Sequence, residues 1–206
     1  MGSSGRRKIL IATTNPGKIR EIRGILADAP VELVTLTDLP AIPEPDENGT
    51  TFADNARLKA LYYAAATGLP SVADDSGLEI DALDKAPGVH SARWHGYDYS
   101  VKFRKIYELL AEKGVATSVA RFVAAVALAE DGGVTFESRG VVEGTVAPEP
   151  KGSHGFGYDP IFFYPPLGCT LAEVDGEAKA RVSHRGAAFR EFRDYLVNGK
   201  GIRDKG

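Results

Sequence analysis

Lys8-Ile-Leu-Ile-Ala-Thr-Thr-Asn-Pro-Gly-Lys18, followed by Ile19, Ile22, Ile25 and Leu26, is the stretch from which the fold class follows. Residues 8–13 are a short apolar run rich in β-branched side chains, bounded by turn residues, which predicts a buried strand. Asn15 suits a helix N-cap and Pro16 the first helical position. The isoleucines then recur at helical spacing, so an amphipathic helix is expected to about Asp28. Val31 to Leu36 reads as a second strand. A β–α–β opening favours an α/β fold.

Working outward, residues 40–50 form a loop with three prolines, Gly49 and the acidic Glu44, Asp46 and Glu47. Thr51 starts a second helix, which Gly68 and Pro70 end. Ser71-Val-Ala73 is expected to be a short strand that stops at Asp74-Asp-Ser-Gly77, with a separate strand over Leu78 to Ala82. A helix is expected over Ser100 to Lys113. Arg121 to Glu130 and Val134 to Val146 read as a hairpin around Asp131-Gly-Gly133. Pro148 to Tyr158 is a glycine-rich loop, Pro160 to Tyr164 a strand, Glu177 to Val182 a short helix, and Gly186 to Val197 the last helix. This order implies a mixed sheet, with the hairpin as a lobe facing the first half across a cleft. Residues 1–7 are expected to be a tail, 8–200 a single catalytic domain with two lobes, and 201–206 a flexible C-terminal tail.

Composition narrows the function classes. The chain has 206 residues, is 43% hydrophobic and carries a formal charge of -3, which excludes disorder as its main state. No apolar run approaches the roughly 18 residues of a membrane span. A single cysteine, Cys169, excludes a disulfide framework and a cysteine zinc site. The apolar run after Lys8 is too short for a secretory signal, so a cytoplasmic protein without a membrane partner is expected. With 25 basic against 28 acidic residues, no bulk nucleic-acid binding is expected. Glycine and proline make up about 17% of the chain, against about 12% in average usage. They sit in tight clusters.

Four clusters have the residue types for chemistry. Thr13-Thr-Asn-Pro-Gly-Lys18 places a polar loop and a lysine at a helix start, an arrangement suited to phosphate; it equally fits an ordinary capped helix. It is not a Walker A loop, because Ala12 and Ile19 stand where that pattern needs Gly and Ser or Thr. Asp74-Asp75-Ser76-Gly77 offers adjacent carboxylates that point to opposite faces if strand geometry persists; hard oxygen donors suit Mg²⁺, and an Asx turn is the plainer alternative. Gly155-Phe-Gly-Tyr-Asp-Pro160 puts aromatics and an Asp in a turn able to stack on a base and bond its edge, or simply in a glycine-rich turn with core aromatics. Lys179 with Ser183-His-Arg-Gly186 offers donors at a helix start, Ser183 being the expected N-cap, and would otherwise be solvated surface. Two basic clusters, one acidic and one aromatic match a magnesium nucleotide.

Read in order, Ala12-Thr-Thr-Asn-Pro-Gly-Lys18, Thr51-Phe-Ala-Asp-Asn-Ala56 with Lys59, Ala73-Asp-Asp-Ser-Gly-Leu78, Pro87-Gly-Val-His-Ser-Ala-Arg93, Gly155-Phe-Gly-Tyr-Asp-Pro160 and Ser183-His-Arg-Gly186 closely resemble the inosine/xanthosine triphosphate pyrophosphatase family, the HAM1-like pyrophosphatases of non-canonical purine nucleotides. The resemblance runs from Lys8 to Leu196. It implies a mixed, strongly twisted central sheet with helices around it and two lobes enclosing a substrate cleft. It also implies Mg²⁺-dependent hydrolysis of ITP, dITP and XTP to the monophosphate and pyrophosphate by a homodimer. By motif match, Thr13, Thr14, Asn15, Pro16, Gly17, Lys18 and Lys59 would hold the triphosphate. Asp75 would be the catalytic carboxylate and a metal ligand. Glu47 would be the second ligand, with Asp46 as its alternative and Asp74 as a further fallback. Ser76 would contact substrate, and Phe156, Gly157, Tyr158, Asp159, Lys179, His184 and Arg185 would form the base pocket. Two departures stand out: Thr14 replaces a glycine frequent before the Asn, and the segment from His95 to Ser100 is short. The competing readings are a Maf-like pyrophosphatase acting on other nucleotides and a non-catalytic nucleotide-binding module.

Overall fold

A computed structural model describes residues 6–199. The opening is as the sequence predicts. Strand β1 (Arg7–Ile11) runs through the Thr13–Lys18 loop into helix α1 (Pro16–Ile25), then into β2 (Val31–Thr35), which pairs parallel with β1. Asn15 caps α1 with its side chain, and Pro16 takes a first-turn position. Ile22 and Ile25 are its buried isoleucines. Helix α2 (Phe52–Thr67) starts at Thr51, whose hydroxyl accepts from the Asp54 N–H at 3.1 Å, and stops at Gly68 in the left-handed region (φ 68°).

Strand β3 (Ser71–Ile80) corrects the sequence reading. Asp74-Asp75-Ser76-Gly77 does not end a strand; it lies in the middle of one ten-residue strand. The glycine that read as a turn is a close approach instead. A Cβ at Gly77 would run into the Ser91 hydroxyl and the Gly88 carbonyl. The strand therefore needs glycine there for contact and not for a bend.

Helix α3 (Tyr99–Glu112) is capped by Asp98, which accepts from the Ser100 N–H at 2.8 Å. Strands β4 (Val119–Glu130) and β5 (Gly133–Val146) form the expected hairpin. Its loop is Asp131-Gly132, both at positive φ (51° and 81°), the conformation a two-residue hairpin turn favours. After them come β6 (Phe162–Tyr164) and β7 (Cys169–Thr170), the latter too short to show in the sequence pattern. Helix α4 (Gly176–Val182) precedes α5 (His184–Asn198). Ser183 is the C-cap of α4, and α5 starts two residues before the expected Gly186, so His184 and Arg185 are helical.

The seven strands form one sheet in the order β2-β1-β3-β4-β5-β6-β7, with β1 parallel to β2 and β3, and β6 antiparallel to β5 and β7. The chain divides into two compact units. The first holds residues up to Asp75, Ala125–Arg139 and Arg185 onward; the second holds Ser76–Ala124 and Gly140–His184. The hairpin is thus not a lobe of its own, because each of its strands contributes to both units. In the first unit Ile9, Leu10, Ile11, Ile22, Phe189 and Phe192 are buried. In the second, Leu78, Ile80, Ile106, Leu110, Phe122, Ile161, Phe162 and Leu171 form the core. Of the expected tails at 1–7 and 201–206, residues 1–5 and 201–206 lie outside the described residues, and Arg7 opens β1.

Gly77→Ala is expected to lower stability by about 1–3 kcal/mol through overpacking. At this chain length that is roughly 2–4 °C in Tm per kcal/mol. Gly24→Ala, in exposed α1 with nothing within 4 Å of the new methyl, is expected to stabilise by about 0.5–1 kcal/mol. Thermal and urea unfolding of the two variants checks both signs.

Candidate active site

In the first unit, the loop after β1 is tied by its own side chains. Asn15 N–H donates to the Thr13 hydroxyl at 3.2 Å, and Asn15 Oδ1 accepts from the backbone N–H of Gly17 (2.9 Å) and Lys18 (3.2 Å). Thr14, the departure from the family pattern, donates its hydroxyl to Glu44 at 3.0 Å and so ties this loop to the acidic loop. Lys18, in the first turn of α1, reaches the Asp74 carboxylate at 3.0 Å. Asp74 also accepts from Arg185 Nε at 3.2 Å, and Arg185 continues to Glu21 at 2.5 Å.

Asp74 is buried and would resist ionisation on that account. The cations of Lys18, Arg185 and Lys59 outweigh burial and hold its carboxyl well below the ordinary carboxylate range. Burial lowers the Lys18 ammonium against the pull of Asp74. For Lys59, burial is outweighed by Asp75 and Glu47, and its pKa is raised.

Asp75, next along β3, faces a different set. Lys59 Nζ lies 3.1 Å from Asp75 Oδ1 and 3.2 Å from Glu47 Oε1. Asn55 Nδ2 donates to Asp75 Oδ2 at 3.2 Å, and Asn55 Oδ1 accepts from the Gly49 N–H at 2.8 Å. One face of α2 thus carries Asn55 and Lys59, four residues apart, and joins the acidic loop to Asp75. Of the acidic candidates, Glu47 is half-buried on Lys59, whereas Asp46 is exposed and Asp74 is engaged by Lys18 and Arg185.

In the second unit, Gly155 and Gly157 take positive φ (72° and 67°), and the turn closes on Asp159. Asp159 Oδ2 accepts from the Phe156 N–H at 2.7 Å and from Lys179 Nζ at 2.5 Å. Lys179 Nζ also lies 4.5 Å from the Phe156 ring centroid. A Cβ at Gly155 would strike the Asp159 carboxylate. Tyr158 is buried, its hydroxyl donating to the Ser91 carbonyl at 2.9 Å. His184 stacks on Phe122 with centroids 4.7 Å apart and planes 14° from parallel. Ser76 is half-buried directly after Asp75 in β3.

The structure therefore gathers Lys18, Lys59, Glu47, Asp74, Asp75 and Arg185 in the first unit, and Phe156, Tyr158, Asp159 and Lys179 in the second. Arg185 meets the carboxylates of Asp74 and Glu21. The sequence reading assigns no role to Asn55 or Glu21. Asn55 was legible as the helical neighbour of Lys59; Glu21 has no sequence signal, because it meets Arg185 only through tertiary packing.

Cations and carboxylates interleaved at hydrogen-bond distance suit a polyanion that arrives with a hard cation. Among the described residues no three His, Cys, Asp or Glu side chains form a protein-only metal site. The pair Glu47 and Asp75 fits a cation that takes most of its ligands from water and phosphate, as Mg²⁺ does. The second unit's cluster suits a flat heteroaromatic ring.

A sequence model of the Ham1 family matches residues 9–195. The dITP/XTP pyrophosphatase of Exiguobacterium sp. (strain AT1b) is 47% identical over 190 residues, 92% of this chain and 97% of that protein. The dITP/XTP pyrophosphatase of Geobacter sulfurreducens is 44% identical over 92% of this chain and 96% of its own length. Among solved structures, a HAM1 protein from Coxiella burnetii superposes with a TM-score of 0.86 at 38% identity, over 93% of this chain and 99% of that one. The Staphylococcus aureus Ham1 protein gives 0.82 at 34%, over 94% and 100%.

The paired state of Asp74 has a pH signature. Its folded pKa lies below the unfolded value of about 3.9, so the unfolded chain binds the proton more readily. The stabilisation is fully present above that value and is lost as pH falls towards the folded pKa. Asp74→Asn is expected to cost about 3–5 kcal/mol at pH 7, since it strips a buried partner from two cations. It is also expected to flatten the loss of stability between about pH 5 and pH 2. Urea unfolding across that range checks this; an unchanged acid limb would show that Asp74 is not the group responsible.

Proposed function

Because this chain belongs to the Ham1 family, we propose that it hydrolyses ITP, dITP and XTP to the nucleoside monophosphate and pyrophosphate, clearing them from the nucleotide pool. The observation that carries this reading is the Lys18–Asp74 and Lys59–Asp75–Glu47 array, in which two ammonium groups and two adjacent strand carboxylates lie within 3.2 Å of their partners.

A triphosphate carries about four negative charges, which repel an oxygen nucleophile. Lys18 and Lys59 bind phosphate oxygens and reduce that repulsion, with the Thr13–Gly17 loop beside them. Asp75 orients a water for in-line attack on the α-phosphorus and accepts its proton at a carboxylate oxygen. Asn55 and Lys59 hold that carboxylate in place. Glu47 and Asp75 would hold Mg²⁺, which when bound supplies charge neutralisation on the phosphates. Asp74 stays ionised and keeps Lys18 and Arg185 charged and aimed.

In the second unit, Phe156 to Asp159, with Lys179 and His184, take the base, and Ser76 contacts the substrate. Hypoxanthine and xanthine present a carbonyl at C6, where adenine presents an amino group. A donor from Lys179, His184 or the backbone pairs with the carbonyl and is left unmatched by adenine. The mismatch costs about 1–3 kcal/mol, roughly 5- to 150-fold in rate. The protein works as a homodimer in the cytoplasm on free nucleotides. No helix among the described residues is long and apolar enough to cross a membrane.

With Mg²⁺, purified protein is expected to release pyrophosphate from ITP at least tenfold faster than from ATP or UTP. Release of orthophosphate, or equal rates on UTP, would overturn the reading. Asp75→Asn is expected to lower kcat by about 10²–10⁴ while ITP still binds, measured by calorimetry against turnover.

A further inference from the structure

Lys102, on α3 in the second unit, is fully buried, and among the described residues it has no carboxylate ion-pair partner. Its ammonium donates instead to two backbone carbonyls, Ser91 at 3.0 Å and Ala92 at 2.7 Å, and lies 4.3 Å from the Tyr99 ring centroid. Burial lowers its pKa with no anion to offset the loss. A buried cation without an acidic partner is costly, so what it holds is informative.

It holds Tyr158 from two sides. The Ser91 carbonyl that accepts from Lys102 also accepts from the Tyr158 hydroxyl at 2.9 Å. Tyr99, under the ammonium, meets Tyr158 edge-on with centroids 5.2 Å apart. A Cβ added at Gly157 would touch the Tyr99 hydroxyl at 3.6 Å, so the same phenol also lies against the turn. Ser91 is itself fixed: its hydroxyl donates to the Gly88 carbonyl at 2.6 Å and accepts from the Leu78 N–H at 3.0 Å. The Ser91 carbonyl and the Tyr99 ring are thus the floor of the Phe156–Asp159 turn, and Lys102 joins them.

We propose that Lys102 is a positioning residue for base selection, setting the height and tilt of the Tyr158 turn through the Ser91 carbonyl and the Tyr99 ring. Its partners among the described residues, Ser91, Ala92, Tyr99 and Tyr158, all lie in the second unit. The inference rests on the reading that this turn carries the base.

Lys102→Met keeps the length of the side chain and removes the charge and its donors. It is expected to raise KM for ITP about tenfold with kcat within about threefold, and to narrow the ITP-to-ATP preference about fivefold. Inhibition by pyrophosphate, which needs only the phosphate side, is expected to be unchanged. If Lys102→Met lowers Tm but leaves KM and the preference alone, assayed well below Tm, Lys102 is only a structural plug and the inference falls. Should that variant not fold, Tyr158→Phe, which deletes only the hydroxyl on the Ser91 carbonyl, is expected to raise KM for ITP severalfold; an unchanged KM overturns the inference. Wild-type protein lacking any preference for ITP would overturn the underlying reading and this inference together. A wild-type preference retained in Lys102→Met overturns this inference alone.

Discussion

Two carboxylates side by side in the middle of a buried strand must each be matched by cations or hydrogen-bond donors on its own face, because an unmatched buried charge is costly. Asp74 and Asp75 impose this requirement, and much of the first unit answers it. Consecutive residues of a strand point to opposite faces. The unit accordingly supplies Lys18 and Arg185 to Asp74, and Lys59 with Asn55 to Asp75. Those partners come from α1, α5 and α2, so the starts of α1 and α5 and one face of α2 are fixed by what β3 buries. Breaking one such pair leaves an unmatched charge in a dry site, which costs more than the pair contributes when intact.

The same requirement serves the proposed chemistry. In that proposal, ammonium groups held by carboxylates need little reorganisation when phosphate oxygens join them. Glu47 belongs to this array because it shares Lys59 with Asp75, and Thr14 helps to hold its loop through Glu44. The threonine that departs from the family pattern therefore has a tether in this chain. In the second unit a different logic applies: Phe156, Tyr158 and Asp159 are presented by a turn that depends on glycine at 155 and 157, and their height is set from beneath.

Much of this was legible in the sequence. The β–α–β opening, the caps at Asn15 and Thr51, the hairpin at Asp131-Gly132 and the clusters around Lys18, Asp75 and Phe156 follow from local patterns that the structure keeps. Asp74 to Gly77 misled because Asp-Asp-Ser-Gly is turn composition; the glycine is required by Ser91 and Gly88, fourteen and eleven residues on, which no local window sees. The ion pairs of Arg185 are not legible locally, because its partners Asp74 and Glu21 are 111 and 164 residues away. Lys102 carries no local sequence signal, and only tertiary burial distinguishes it from other helical lysines.

The central claim is that the phosphate-side array directs water to the α-phosphorus of a purine nucleoside triphosphate. Hydrolysis of ITP in ¹⁸O-enriched water, with mass spectrometry of both products, tests it most directly. The account predicts one ¹⁸O in the nucleoside monophosphate and none in pyrophosphate. Label in the pyrophosphate would place the attack on the β-phosphorus and contradict the role assigned to Asp75.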